Sequence, residues 1–184
     1  TQRALTLTTD YAGLADADLV IEAVFEEMSV KKTVFTQLDA VCKPGAILAT
    51  NTSSIPVRDI AAGLAHPDRL LALHFFNPPT AMKLVELAPH DGTLTQNINI
   101  AIQVTENAGK TVIECPDRPG FIVNRCARPF YGEALALLAE GRSASDIDAA
   151  MLAAGTVQVA ALTEVEAHMA AALGLAEKHQ ITGS

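Results

Sequence analysis

The sequence predicts an α/β fold: part of a doubly wound parallel sheet, followed by an all-helical C-terminal portion. Three observations predict it. Short, nearly continuous apolar runs recur at 19–24, 46–50 and 70–73, as expected of strands buried on both faces. Between them lie stretches with apolar residues at helical spacing, such as Val30, Val34, Leu38 and Val41. After Pro119-Gly120 only helical spacing remains, so alternation of strand and helix gives way to a helical appendage.

Taken in order, residues 4–9 alternate like a strand, and Leu19 to Val24 is an apolar run broken only by Glu22. Ser29 is placed to cap a helix over 30–41. After the Pro44-Gly45 turn, Ala46 to Thr50 is a short strand leading into Asn51-Thr52-Ser53-Ser54, and Pro56 suits the first turn of a helix reaching Leu64. Leu70 to Leu73 forms a strand ending at His74, with a rigid exit through Phe75-Phe76-Asn77-Pro78-Pro79. Lys83 to Leu87 is a strand, Thr95 to Ala108 a helix closed by Gly109, and Thr111 to Cys115 the last strand. Helices follow over 121–140, over 146–154 with Ser145 and Asp148 as a capping pair, and over 160–178. The boundary between the two portions is expected at 118/119, giving parts 1–118 and 119–184.

Composition narrows the function. With 184 residues, 49% apolar, 18% charged and a net charge of −8, the chain can bury a substantial core. No cluster of Lys and Arg suits nucleic acid, and no apolar run reaches membrane-spanning length. Cys42, Cys115 and Cys126 are odd in number and form no C-x-x-C pair, which fits reduced thiols used in packing and a cytoplasmic or matrix-like protein. The five histidines show no metal-ligand spacing.

Four segments carry a resemblance: Asp18-Leu19-Val20-Ile21-Glu22-Ala23 through Glu26 to Lys31; Asn51-Thr52-Ser53-Ser54; His74-Phe75-Phe76-Asn77-Pro78 leading to Met82-Lys83-Leu84-Val85-Glu86; and Pro119-Gly120-Phe121-Ile122-Val123-Asn124-Arg125. In this order and spacing the chain resembles the 3-hydroxyacyl-CoA dehydrogenase family from about residue 8 to Gly155. The tail from Thr156 onward matches nothing in that pattern. The resemblance implies a Rossmann-type domain, NAD as cofactor, an acyl-CoA substrate oxidised at its 3-hydroxyl, and a homodimer formed through the helical portion. It implies that His74 is the base and Glu86 its partner, that Ser53, Asn51 and Asn124 meet the substrate, and that Glu26, Lys31, Asn77 and Ser53 lie around the nicotinamide and its ribose.

The residue chemistry stands beside the resemblance. Oxidising a secondary alcohol needs a base for the hydroxyl proton, and histidine titrates near operating pH. A strand end is the usual place for ligand contact in an open α/β sheet. A carboxylate at Glu86 would orient the far ring nitrogen and stabilise the imidazolium. The residues alone also permit plainer readings. His74 would pack on Phe75 and Phe76 with Glu86 as a surface charge, Ser53 or Ser54 would cap the following helix, Asn124 would open a helix, and Glu26 and Lys31 would be surface charges.

One family feature is missing. A dinucleotide site needs a glycine-rich turn, G-x-G-x-x-G, yet none of the eleven glycines here lie two apart. A chain lacking that turn and its βαβ unit is expected to leave the 19–24 and 46–50 strands partly unpaired, to self-associate, and to bind NAD weakly or not at all. Two alternatives stay open: a non-catalytic fragment with only an association role, and a reductase acting on a free hydroxy acid.

Overall fold

The structure, a computed structural model, describes residues 5–153. It divides into two compact units at Cys126/Ala127. The first contains five strands, β1 (Leu19–Glu22), β2 (Ile47–Thr50), β3 (Leu70–Phe75), β4 (Leu84–Pro89) and β5 (Thr111–Glu114), in spatial order β1-β2-β3-β4-β5. It also holds helices α1 (Met28–Val41), α2 (Val57–Ala61) and α3 (Thr95–Asn107), and the first turn of α4 (Val123–Ala139). The second unit contains the rest of α4 and α5 (Ala144–Ala153), where Ala134 and Ile147 are buried against Leu138, Ala144 and Met151. The expected helix over 160–178 lies outside the described residues.

The sheet is mixed, not wholly parallel. β1, β2 and β3 run parallel, β4 is antiparallel to β3, and β5 is parallel to β4. The change follows from the short Phe76–Lys83 connection, because a parallel neighbour needs a crossover of a dozen or more residues. Helices cover both faces. Leu48, Leu70, Ala72 and Ala88 pack under α1 and α2, whereas Ile47, Ala49, Leu71, Leu73, Val85 and Leu87 pack towards α3 and its Ala101. Side chains alternate between faces with period two, and since both faces are covered, the apolar runs are continuous.

Several expected details shift. Residues 5–8 form no strand; Leu5 and Leu7 are exposed, and the Thr8 hydroxyl and Asp10 carboxylate instead accept the Asp10 and Ala12 N–H groups, opening a 3-10 turn at Tyr11–Leu14. Such local side-chain bonds compete with an extended ladder. The α1 helix starts at Met28 with Glu27 as N-cap, and Ser29 lies inside it, donating to the Glu27 carboxylate. Pro56 is the N-cap of a helix that stops at Ala61. Neither Ser53 nor Ser54 caps it: the Val57 and Arg58 N–H groups donate to the Asp117 carboxylate at 2.7 and 2.9 Å. Ser143, not Ser145, accepts the Asp146 N–H at the start of α5. Gly109 closes α3 as expected, at φ 79°, with Gly109 and Lys110 N–H returning to the Glu106 and Thr105 carbonyls. Cys42 and Cys115 are buried, but Cys126 is exposed and so is not a packing residue among the described ones. Burial, then the nearby Glu86, Glu114 and Asp117 charges, push the Cys115 thiol up to about 12, so it stays protonated and inert.

Of the two strands expected to be bare, β2 is buried at all four positions. Of the two, only β1, an edge strand of the described sheet, shows exposure, with Ile21 44% accessible.

A buried ion pair fastens α1 to the 3-10 turn Pro67–Arg69 that leads into β3. Arg69, 3% exposed, donates to Asp39 Oδ1 at 2.8 Å through Nη2 and to the Lys43 carbonyl at 2.7 Å through Nη1. The other Asp39 oxygen accepts the Ala65 and His66 N–H groups. Burial by itself raises the Asp39 pKa, but the Arg69 bonds and these two N–H groups outweigh it and hold the carboxyl below its ordinary value. Removing one partner of a buried pair strands the other charge, at a cost of about 3–5 kcal/mol. Arg69→Leu is expected to lose about that much in urea denaturation, and Arg69→Leu with Asp39→Leu to recover part of it. A loss near zero in the single variant would show that the pair does not anchor α1.

Candidate active site

The polar residues of interest gather where β1, β2 and β3 end. The antiparallel register pairs His74 with Glu86 directly, and opposed residues of such a pair share a face. Their side chains meet: His74 Nδ1 lies 2.8 Å from Glu86 Oε2. Both are buried, Glu86 completely. An ionised carboxylate only accepts, so Nδ1 carries the hydrogen and Nε2 of the neutral ring is bare. The ring packs against Phe76 at 4.7 Å between centroids and Phe121 at 5.6 Å. Aromatic packing of His74 is therefore present alongside the carboxylate contact, and Glu86 is no surface charge.

Glu86 has a second set of partners. Its Oε1 accepts the Ile122 N–H at 2.9 Å and the Val123 N–H at 2.8 Å, the first free donors of α4. Helix starts present such donors and a favourable dipole to a carboxylate.

Glu26 organises the Asn51–Ser54 loop. Its Oε1 accepts the Ser53 and Ser54 N–H groups at 2.9 Å each and the Ser54 hydroxyl at 3.0 Å, and also takes the Thr52 hydroxyl. Partial burial on its own raises the Glu26 pKa; the Thr52, Ser53 and Ser54 bonds outweigh it and hold it down to about 2. Lys31 is 1% exposed. Its ammonium donates to both oxygens of Glu22 at 2.9 and 3.0 Å and sits 3.3 Å from Glu26 Oε2. Glu22 is closed on every side, also accepting the Thr50 hydroxyl at 2.8 Å and the Val24 N–H at 2.6 Å. The plain surface-charge reading therefore fails for Lys31, whose ammonium is enclosed by Glu22 and Glu26.

Asn51 Oδ1 accepts the Phe75 N–H at 2.7 Å, extending the β2–β3 join past the last ladder pair to the residue after His74. Ser53 is half-buried beside Glu26, and its carbonyl accepts the Gly120 N–H at 3.1 Å. Asn77 lies exposed just beyond β3, and Asn124 is half-buried in the first turn of α4. Thus His74 and Glu86 meet, Glu26 and Ser53 meet, and Lys31 joins Glu26 from beneath. The sequence reading missed Glu22, Thr52 and the capping role of Asp117. For Glu22 the signal was present, as a lone charge interrupting an apolar run nine residues before a lysine.

Comparison with known proteins fits this arrangement. The 3-hydroxyacyl-CoA dehydrogenase NAD binding domain matches residues 1–118, and the C-terminal domain of the same family matches residues 120–165. The chain belongs to the 3-hydroxyacyl-CoA dehydrogenase family. The match passes Gly155, so the tail up to residue 165 does correspond to the family's C-terminal domain. Among solved structures, 3-hydroxybutyryl-CoA dehydrogenase from Escherichia coli K12 is 48% identical with a TM-score of 0.73, over 78% of this chain and 31% of that one. (S)-3-hydroxybutyryl-CoA dehydrogenase from Ralstonia eutropha is 36% identical with a TM-score of 0.74, over 78% of this chain and 51% of that one. The chain spans about half the length of such relatives or less.

Just past the ends of β1, β2 and β3, Glu26, Ser53 and Asn77 carry a carboxylate, a hydroxyl and a carboxamide, groups able to hydrogen-bond a nicotinamide riboside. The glycine-rich turn for the pyrophosphate is not among these 184 residues. Among the described residues there is no group of three His, Cys, Asp or Glu suited to a metal ion, and no helix is long and apolar enough to cross a membrane.

The depressed Glu26 carboxyl links the loop to pH. A carboxyl lowered in the folded state adds stability that is present above its ordinary value of 4.5 and lost as pH falls towards about 2. Glu26→Gln is expected to lie below the wild type by a constant amount above that window, with the gap closing inside it. Urea denaturation across the acid range gives the answer; profiles that stay parallel throughout would mean that Glu26 does not anchor the loop.

Proposed function

We propose that the protein to which this chain belongs oxidises (S)-3-hydroxyacyl-CoA to 3-ketoacyl-CoA, with His74 as general base and Glu86 as its orienting carboxylate. The observation that carries the proposal is the 2.8 Å contact between His74 Nδ1 and Glu86 Oε2, which leaves Nε2 bare to accept a hydroxyl proton. NAD, when bound, supplies the acceptor for the hydride that leaves the 3-carbon. As that hydride departs, His74 Nε2 takes the hydroxyl proton, and Glu86 stabilises the imidazolium at Nδ1. The Ser53 hydroxyl hydrogen-bonds the substrate oxygen, Asn124 reaches the substrate from the start of α4, and Asn51 lines the pocket while holding the end of β3. Glu26, Asn77 and Ser53 line the nicotinamide ribose side, with Lys31 acting through Glu26.

The four-carbon substrates named for the relatives support a short-chain hydroxyacyl thioester as the class. The parts 1–118 and 119–184 would then be the cofactor domain and the helical domain. A homodimer through the helical portion is supported by Phe130, Tyr131 and Leu137 of α4, which are 49%, 36% and 38% exposed.

His74→Ala is expected to lower kcat by roughly 10²–10⁴-fold with little change in KM, measured as NADH formation from 3-hydroxybutyryl-CoA. Glu86→Gln should cost less, because a mis-set imidazole still accepts a proton. A larger loss in Glu86→Gln would reverse the roles, and equal turnover of free 3-hydroxybutyrate would remove the thioester from the assignment.

A further inference from the structure

The Pro119–Arg125 segment contributes Asn124 to the proposed site, and its turn also contacts His74, Glu86 and Ser53. Gly120 and Phe121 have φ 78° and 42°, successive left-handed conformations, and Phe121 is the non-glycine residue with positive φ among those described. Directly after this turn the Ile122 and Val123 N–H groups are directed at one anionic oxygen, Glu86 Oε1. The same turn touches two further parts of the site: the Gly120 N–H donates to the Ser53 carbonyl, and the Phe121 ring lies 5.6 Å from the His74 ring. A left-handed backbone is unfavourable for a bulky residue and persists only when its surroundings hold it. Here the surroundings are the buried ring of Phe121, 4% exposed and packed in the core beneath α1 and α2.

We infer that Phe121 is a positioning residue for the His74–Glu86 pair. Its buried ring holds the left-handed turn, the turn occupies Glu86 Oε1 with two N–H donors, and Oε2 alone remains for His74 Nδ1. With Oε1 engaged the carboxyl group is held in place, so Oε2 stays within reach of Nδ1 and the imidazole keeps Nδ1–H and a bare Nε2. The inference rests on the reading of His74 as base for its effect on turnover, but its first readout does not depend on catalysis.

That readout is the tautomer of His74 in long-range ¹H–¹⁵N spectra, assigned by the signals lost in His74→Gln. The wild type is expected to show the Nδ1–H form. In Phe121→Ala the ring that holds the turn is gone, and an Nε2–H signal should appear. Phe121→Gly, which adopts positive φ without strain, should retain more of the wild-type form, and Phe121→Tyr should restore it. Should the alanine variant not fold, Gly120→Ala decides. Its added Cβ would lie 3.3 Å from Arg125 Cγ and 3.4 Å from Asn124 Cβ and forces the turn from the other side, so it should yield the same Nε2–H signal. In active enzyme, Phe121→Ala should lower kcat by up to roughly 10²-fold with KM little changed. Lower thermal stability with an unchanged His74 tautomer in both alanine variants would leave Phe121 as packing only and overturn the inference. A tautomer change in a protein that does not oxidise 3-hydroxyacyl-CoA would instead overturn the functional reading and leave the positioning role standing.

Discussion

A carboxylate with no water contact sits on β4 between β3 and β5, and the arrangement of the site follows from satisfying it. Glu86 is fully buried on β4, where an uncompensated charge would cost several kcal/mol. Three donors meet it: the His74 ring, and two backbone N–H groups from the start of α4. The antiparallel run of β4 against β3 places the imidazole opposite it, and the loop after β5 brings the helix start. Sheet register and helix placement are thus coupled through one side chain, since displacing any of the three elements leaves the charge short of a donor.

A second buried charge system does the same at the other end of the site. Glu22 and Lys31 are each about 1% exposed at the side chain and neutralise one another, and Lys31 also faces Glu26. Glu26 then collects donors from Thr52, Ser53 and Ser54. Buried ion pairs of this kind contribute little net stability against an apolar replacement, yet losing one partner is costly. Their effect is to give the polar loop after β2 one geometry. The neutral hydroxyls there are oriented by a carboxylate that stays ionised to about pH 2.

The strands were legible because burial on both faces writes itself as continuous apolar runs, and β2, β3 and α3 lie within a residue or two of their expected bounds. Gly109 was legible for a local reason, the left-handed helix end. Much of what failed needed information from distant parts of the chain. The cap of α2 comes from Asp117, some sixty residues away, so no inspection of Ser53 or Ser54 could find it. Residues 4–9 alternate correctly for a strand, but alternation does not supply a neighbouring strand to pair with. Lys31 read either as a cofactor-side residue or as a surface charge, and Arg69 carried no signal; only the fold reveals that each is enclosed with a carboxylate. The His74–Glu86 pairing was recoverable at the level of geometry because a short Pro-rich connection between two strands brings their facing positions together. The direction of β4, which makes that pairing direct, was not anticipated.

The choice of glutamate at position 86 also has a physical basis. Oε1 and Oε2 diverge from the carboxyl carbon, one bonding the α4 start and the other the imidazole. An aspartate on the same strand would be shorter by one methylene, about 1.5 Å. Its carboxyl could then reach only one of the two partners at hydrogen-bond distance, and the other would remain a buried orphan. Glutamine would keep the length but replace an oxygen by an NH₂ group, which cannot accept from two backbone N–H groups or from Nδ1–H. Either the helix start or the imidazole would then face a donor. A glutamate meets both demands because it has the reach and only accepts, and it thereby sets which nitrogen of His74 is left free.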